Sequence, residues 1–193
     1  LKDEYNNPSK FKELFNRIQN AESIEDWSYI LADYLSWGNR KISDSTAIFN
    51  MNSAHNCPNK KTQENGESET GLCQVPWDVC YAGQTEKRYD TAREYRDRQE
   101  FLWDCLDPVT FAEAFLMVAE RKITYGNILE DMSDVDLRLS EAGDFRNNQD
   151  VYKAEKIAEI LTDNGVESVY TYSASYKIDA WFKLETENLT VMQ

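Results

Sequence analysis

The last third of the chain switches hydrophobic period repeatedly, and this switching limits the possible folds more than any other feature. In "DVDLRLS" (residues 134–140) Val135, Leu137 and Leu139 alternate with polar neighbours, the period of a strand with one buried face. Residues 148–163 then place Val151, Ala154, Ile157, Ala158 and Leu161 on one helical stripe, which Asn164-Gly165 stops. "ESVYTYS" (167–173) returns to the strand period, residues 176–183 read as a short helix, and "NLTVMQ" (188–193) reads as a last strand. Strands separated by helices of this length join through right-handed crossovers and pair in parallel. The expected class is therefore α/β.

The first half supplies helices and one more strand. Residues 8–37 carry two helical stripes: one with Phe11, Leu14, Phe15 and Ile18, and one with Ile24, Trp27, Ile30, Leu31, Tyr34 and Leu35, ended by Gly38-Asn39. They read as an N-terminal helical cap (1–40) on a main domain (41–193). "STAIFNMN" (45–52) is a short strand with Ile48 and Phe49 buried, and it runs straight into a cysteine-bearing loop. Within that loop "NKKTQENGESET" (59–70) is polar and without period, which reads as a mobile insertion. Helices follow over 83–104, with Tyr89, Ala92, Tyr95, Arg96, Gln99 and Trp103 at helical spacing, and from Asp107-Pro108 onward. About four strands cannot close a barrel alone, so the expectation is a partial (β/α) barrel or an open parallel sheet.

Binding groups in such folds collect at the carboxyl ends of the strands. There the segmentation places the cysteine loop, Glu141 and Asp144 of "SEAGDF", Ser173 with Ser175, and whatever follows Gln193. Cys57, Cys73, Cys80 and Cys105 could be buried thiols, two disulfides or ligands. Nothing marks secretion, and three of the four crowd into one Gly/Asn/Pro-bearing stretch, which suits metal or redox chemistry in a reducing compartment. Three thiolates suit zinc or an iron–sulfur cluster. A fourth ligand, Cys105 or the lone His55, would close the site. Gly143 and Asp144 have a structural reading, a turn and a helix cap, and Glu141 with Asp144 a functional one, carboxylates that bind an amine or polarise a hydroxyl. Trp77, Tyr81 and Trp103 read as packing near the cysteines.

Charge narrows the partners. With 35 acidic against 21 basic residues the net charge is −14, which disfavours duplex nucleic acid and acidic membranes and suits a halophilic host. No apolar run is long enough to span a bilayer and no secretory leader opens the chain, so the reading is cytoplasmic, with a small molecule as the expected partner.

The succession "AIFNMNSAHNCP … GLCQVPWDVCYAGQTEKRY … YRDRQEFLW … LRLSEAGDF … VYTYSAS … NLTVMQ" resembles the phage and archaeal-virus gene product 88 family over roughly residues 42–193. The resemblance implies a fold related to the radical-SAM partial barrel, with Cys57, Cys73 and Cys80 as ligands of a [4Fe–4S] cluster, ahead of zinc. It puts Glu141 and Asp144, with Ser173 beside them, where S-adenosylmethionine is held. The implied function is radical-SAM-like chemistry on an unknown substrate. The alternative is a non-catalytic viral module with a structural metal site closed by Cys105.

Overall fold

The N-terminal helices form where their stripes and caps coincide. In α1 (Pro8–Gln19) Phe11 and Leu14 face inward. Ser23 opens α2 (Ile24–Ala32) with a capping box: its hydroxyl accepts from the Asp26 amide, and the Asp26 carboxylate accepts from the Ser23 amide. The structure, a computed structural model, describes residues 8–60, 71, 73, 75–76, 79–126, 128–183 and 188–192. The expected insertion lies, from residue 61 to 70, outside the described residues, as do Trp77 and Gln193.

Past α2 the chain departs from the helical expectation. Residues Ser36–Asn39 form β1, an edge strand paired antiparallel with β2 (Ile42–Phe49). Helical period is lost after Tyr34, while Leu35 and Trp37 alternate with exposed Ser36 and suit a strand. Trp37 stacks on Phe115, ring centroids 6.4 Å apart. The sheet thus has five strands, not about four. The expected cap boundary at residue 40 falls in this hairpin's turn, and Leu14, Ile30 and Leu31 belong to the same buried cluster as the sheet.

Beyond the cysteine loop come α3 (Tyr81–Arg88), α4 (Asp90–Cys105) and α5 (Pro108–Tyr125). The helix expected over 83–104 is two, because Tyr89 takes an extended conformation (φ −133°, ψ 100°) and breaks it. At α5 the expected start holds: Pro108 occupies the first turn, and the Asp107 carboxylate accepts from the Val109 and Thr110 amides at 2.9 and 3.1 Å. Then follow β3 (Asp136–Leu139), α6 (Asn148–Asp163), β4 (Ser168–Tyr172), a 3₁₀ turn (Asp179–Phe182) and β5 (Leu189–Met192).

Strand order is β1-β2-β3-β4-β5, with β2 to β5 all parallel. The fold is an open α/β sheet. Parallel strands that add side by side in chain order, through crossovers of one hand, carry their helices on one face. The rows Ala47–Leu137–Val169–Leu189 and Phe49–Leu139–Thr171–Val191 turn to that face, where their apolar members pack with Phe111, Phe115, Val151, Ile157 and Leu161 of the helices. The alternate rows, Thr46–Asp136–Ser168 and Ile48–Arg138–Tyr170–Thr190, lie on the other face, which no helix of this core covers among the described residues, although Thr46 and Ile48 are themselves buried there. In a closed barrel this would be the lumen. Among the described residues no helix is long and apolar enough to cross a membrane.

Candidate functional site

Three loops leave the carboxyl edge of β2, β3 and β4, and buried polar side chains tie them together. Asn50 and Asn52 follow β2. Asn50 Oδ1 accepts from the Ala142 amide at 2.7 Å, and its amide donates to Gln99 Oε1 at 3.1 Å. Asn52 makes a two-way bridge to Asp144, donating to its carbonyl (2.6 Å) and accepting from its amide (3.0 Å). Gly143 sits between these contacts at φ +77°, where a Cβ would stand 1.8 Å from Asn52 Oδ1.

Asp144 is the hub. Its carboxylate is buried and accepts from the Phe145 amide (2.8 Å), Ser173 Oγ (2.7 Å), the Ala174 amide (2.8 Å) and Asn59 Nδ2 (2.6 Å). Burial raises its pKa, although each of these donors pulls the other way. The expected helix cap is a correction: Asn147, not Asp144, caps α6, accepting from the Gln149 and Asp150 amides. Both Asp144 oxygens are already spent on linking the loops. Ser173 and Ser175 share a short hydroxyl contact beside it, and the Trp181 indole donates to the Ser175 carbonyl at 3.1 Å.

A second buried carboxylate holds the start of the cysteine loop. Glu86 of α3 accepts from the Ala54 amide (2.8 Å) and the His55 amide (3.0 Å), and Arg96 of α4 pairs with it at 2.9 Å. Asn56 reaches Glu100 of α4 at 2.7 Å. The loop is thereby fastened on both sides before it reaches Cys57. It returns at Gly71, which lies so close to β4's exit that a Cβ there would be 1.7 Å from the Ala174 carbonyl oxygen.

Cys57, Cys73 and Cys80 are all half-buried along this edge, and none is in a disulfide. Burial pushes the Cys57 thiol up to about 12; the Asn59 amide offsets part of that, while Asp144, Cys73 and Cys80 add to it. Cys80 occupies the cap position of α3 and packs against Ala54, Ala82 and Ala142. Cys105 stands apart and exposed at the end of α4, and the charges acting on it are those of Asp104 and Lys153. As placed, no three His, Cys, Asp or Glu side chains among the described residues are gathered closely enough for a metal ion. The donor chemistry nevertheless suits a thiolate-held centre. Burial disfavours the free Cys57 thiolate, so a metal bound there would have to displace the thiol proton.

On the uncovered face lies a cavity of about 630 Å³. Arg138 of β3, Tyr172 of β4 and Glu141 form part of its wall, the β1–β2 hairpin contributes Asn39, Arg40, Lys41 and Ile42, and Tyr81, the residue after Cys80, also lines it. Asn39 Nδ2 donates to Glu141 Oε1 at 3.0 Å, which pins the hairpin to the loop after β3. Of the aromatic residues expected near the cysteines, Tyr81 is 72% exposed, whereas Trp103 is in the core, edge-on to Phe111 and hydrogen-bonded to Asp150. Sequence reading missed Asn50, Asn52, Asn59, Glu86 and Arg138; four asparagines at 50, 52, 56 and 59 straight after a strand were the available signal.

Comparison of the chain with family models, with curated proteins and with solved structures finds no match in any of the three.

Proposed function

We propose that the protein binds an iron–sulfur cluster through Cys57, Cys73 and Cys80, in the manner of the gene product 88 family, and carries out radical-SAM-like chemistry on a small molecule held in the cavity beside it. The observation that carries this reading is the return of one loop to the sheet's carboxyl edge, with three thiols near enough for Cys73 and Cys80 to act on Cys57. A [4Fe–4S] cluster with an open iron supplies one-electron chemistry when bound, including reduction of S-adenosylmethionine. The chain supplies position and dryness. Glu86 and Asp144 hold the chain on either side of Cys57, at Ala54 and Asn59, and Ala54, Ala82 and Ala142 give Cys80 an apolar wall. Glu141 presents a carboxylate to the cavity, suited to an ammonium group, whereas Asp144 is a positioning residue. The acidic surface suits the salt-rich cytoplasm of a halophilic host.

The test is metal content after purification without oxygen. About four iron and four sulfide per chain are expected. Cys57→Ser, Cys73→Ser and Cys80→Ser should each lose them, because a hard hydroxyl replaces a soft thiolate, and Cys105→Ser should not. Zinc in place of iron, or loss of metal in Cys105→Ser, would overturn the reading in favour of a closed structural site.

A further inference from the structure

Among its described lining residues, the cavity on the uncovered face carries a charge opposite to that of the molecule. In a chain of net charge −14 its described lining holds three cations, Arg40, Lys41 and Arg138, against one carboxylate, Glu141. None of the three cations makes an ion pair among the described residues, although the chain has carboxylates in excess. The Arg138 guanidinium carbon lies over the Tyr172 ring, 5.0 Å from its centroid, and its Nε–H is buried with no acceptor among the described residues. A buried guanidinium donor left unpaired costs stability unless a ligand takes it up. A cavity of this size falls in the range of small-molecule sites.

We propose that this cavity binds a phosphate monoester carried on a flat ring. Arg138, Lys41 and Arg40 take the phosphate, and Tyr172 and Tyr81 offer aromatic surface to the ring. Charge count favours phosphate over carboxylate: the excess of two positive charges among the described lining residues matches a phosphate monoester, which carries close to two negative charges at neutral pH. A guanidinium fork also suits two phosphate oxygens at once. Elsewhere the acidic surface repels such a ligand, so binding is confined to this face. The proposal names a substrate class for the cavity assigned above and to that extent rests on that reading.

The experiment is calorimetric titration of the full chain, as purified, with adenosine 5′-monophosphate and phenyl phosphate; adenosine, benzoate and inorganic phosphate serve as controls. At low salt at least one ring phosphate should bind, about tenfold or more tighter than any control, and Arg138→Gln should weaken it by about tenfold or more with an unchanged circular dichroism spectrum. Lys41→Gln, on an exposed turn that tolerates substitution, should weaken it in the same direction. Benzoate binding as well as the phosphates would overturn the phosphate assignment. So would binding that survives both substitutions, or no binding by either ring phosphate. Iron content is measured on the same samples. Phosphate binding without iron would leave this proposal standing and remove the cluster, and iron without phosphate binding would do the reverse.

Discussion

At the scale of single residues, the site depends on one missing methyl group. Gly71 brings the cysteine loop back to the sheet, and the atom its Cβ would strike is the backbone oxygen of Ala174, which cannot swing aside as a side-chain tip can. The Ala174 amide is meanwhile held by Asp144, and Asp144 by Asn59, so a displaced Gly71 disturbs the hub as well. Gly71→Ala should therefore cost about 1–3 kcal/mol, the usual range for overpacking, and lower the melting temperature. It should also lower the iron retained by anaerobically purified protein, because Cys73 follows two residues later. A melting temperature equal to that of the parent would show that the close approach is not kept in solution. Asp144→Ala tests the same hub from the other side. Removing its carboxylate leaves several buried donors unsatisfied, and a loss of about 3 kcal/mol or more is expected in denaturant titration.

At the scale of elements, local periodicity was readable and long-range polar pairing was not. Helix α6 and strands β3 to β5 lie within a residue or two of where the pattern put them, because each has an apolar stripe that one core face absorbs. Strand β1 was hidden behind a helical stripe and shows itself only by pairing with β2. Cys57, Cys73, Cys80, Glu141, Asp144 and Ser173 could be placed on one edge from the strand ends alone, whereas Cys105 lies apart at the end of α4. Their partners could not: Asn52 and Asp144 are 92 residues apart in sequence, and no local rule links them. The junction of α4 and α6 is of this kind. Asp150 accepts from Arg146 Nε at 2.8 Å and from the Trp103 indole at 2.9 Å, while Arg146 also reaches Asp104 and Glu100, and Lys153 lies over the Trp103 ring. Burial alone would raise Asp150, but Arg146 and Trp103 outweigh it and hold the carboxyl below its usual range. Stability from such a carboxylate is fully present above the unfolded value of about 3.9 and is lost as pH falls through the lower folded value. Asp150→Asn should thus cost about 2–3 kcal/mol at neutral pH, and the gap between variant and parent should close as pH drops below about 4. Asp97, Glu100 and Asp144 are shifted the other way by burial, but they are common to both proteins and largely cancel in the difference. A gap that stays constant to pH 2 would mean that Arg146 does not depend on the charge of Asp150.

At the scale of the whole molecule, charge acts on folding and on binding with opposite signs. A net charge of −14 on 193 residues pushes the compact state apart, and the exposed pairs Arg17–Asp33 and Lys156–Glu159 do little to relieve it. Added salt shortens the reach of that repulsion, from a Debye length of about 30 Å at 0.01 M to about 3 Å at 1 M. The pairs that salt could weaken most are partly sheltered: Arg96–Glu86 and Arg146–Asp150 lie against buried carboxylates and are screened less than surface pairs. The melting temperature should consequently rise from dilute buffer toward molar potassium chloride, with no fall at intermediate salt. Phosphate binding on the uncovered face should weaken over the same range, since Arg40, Lys41 and Arg138 attract their ligand through the charge that the salt screens. Measuring both on one preparation separates the two effects. A flat or falling melting curve would remove self-repulsion as the dominant electrostatic term and the halophilic reading with it, whatever the cavity binds.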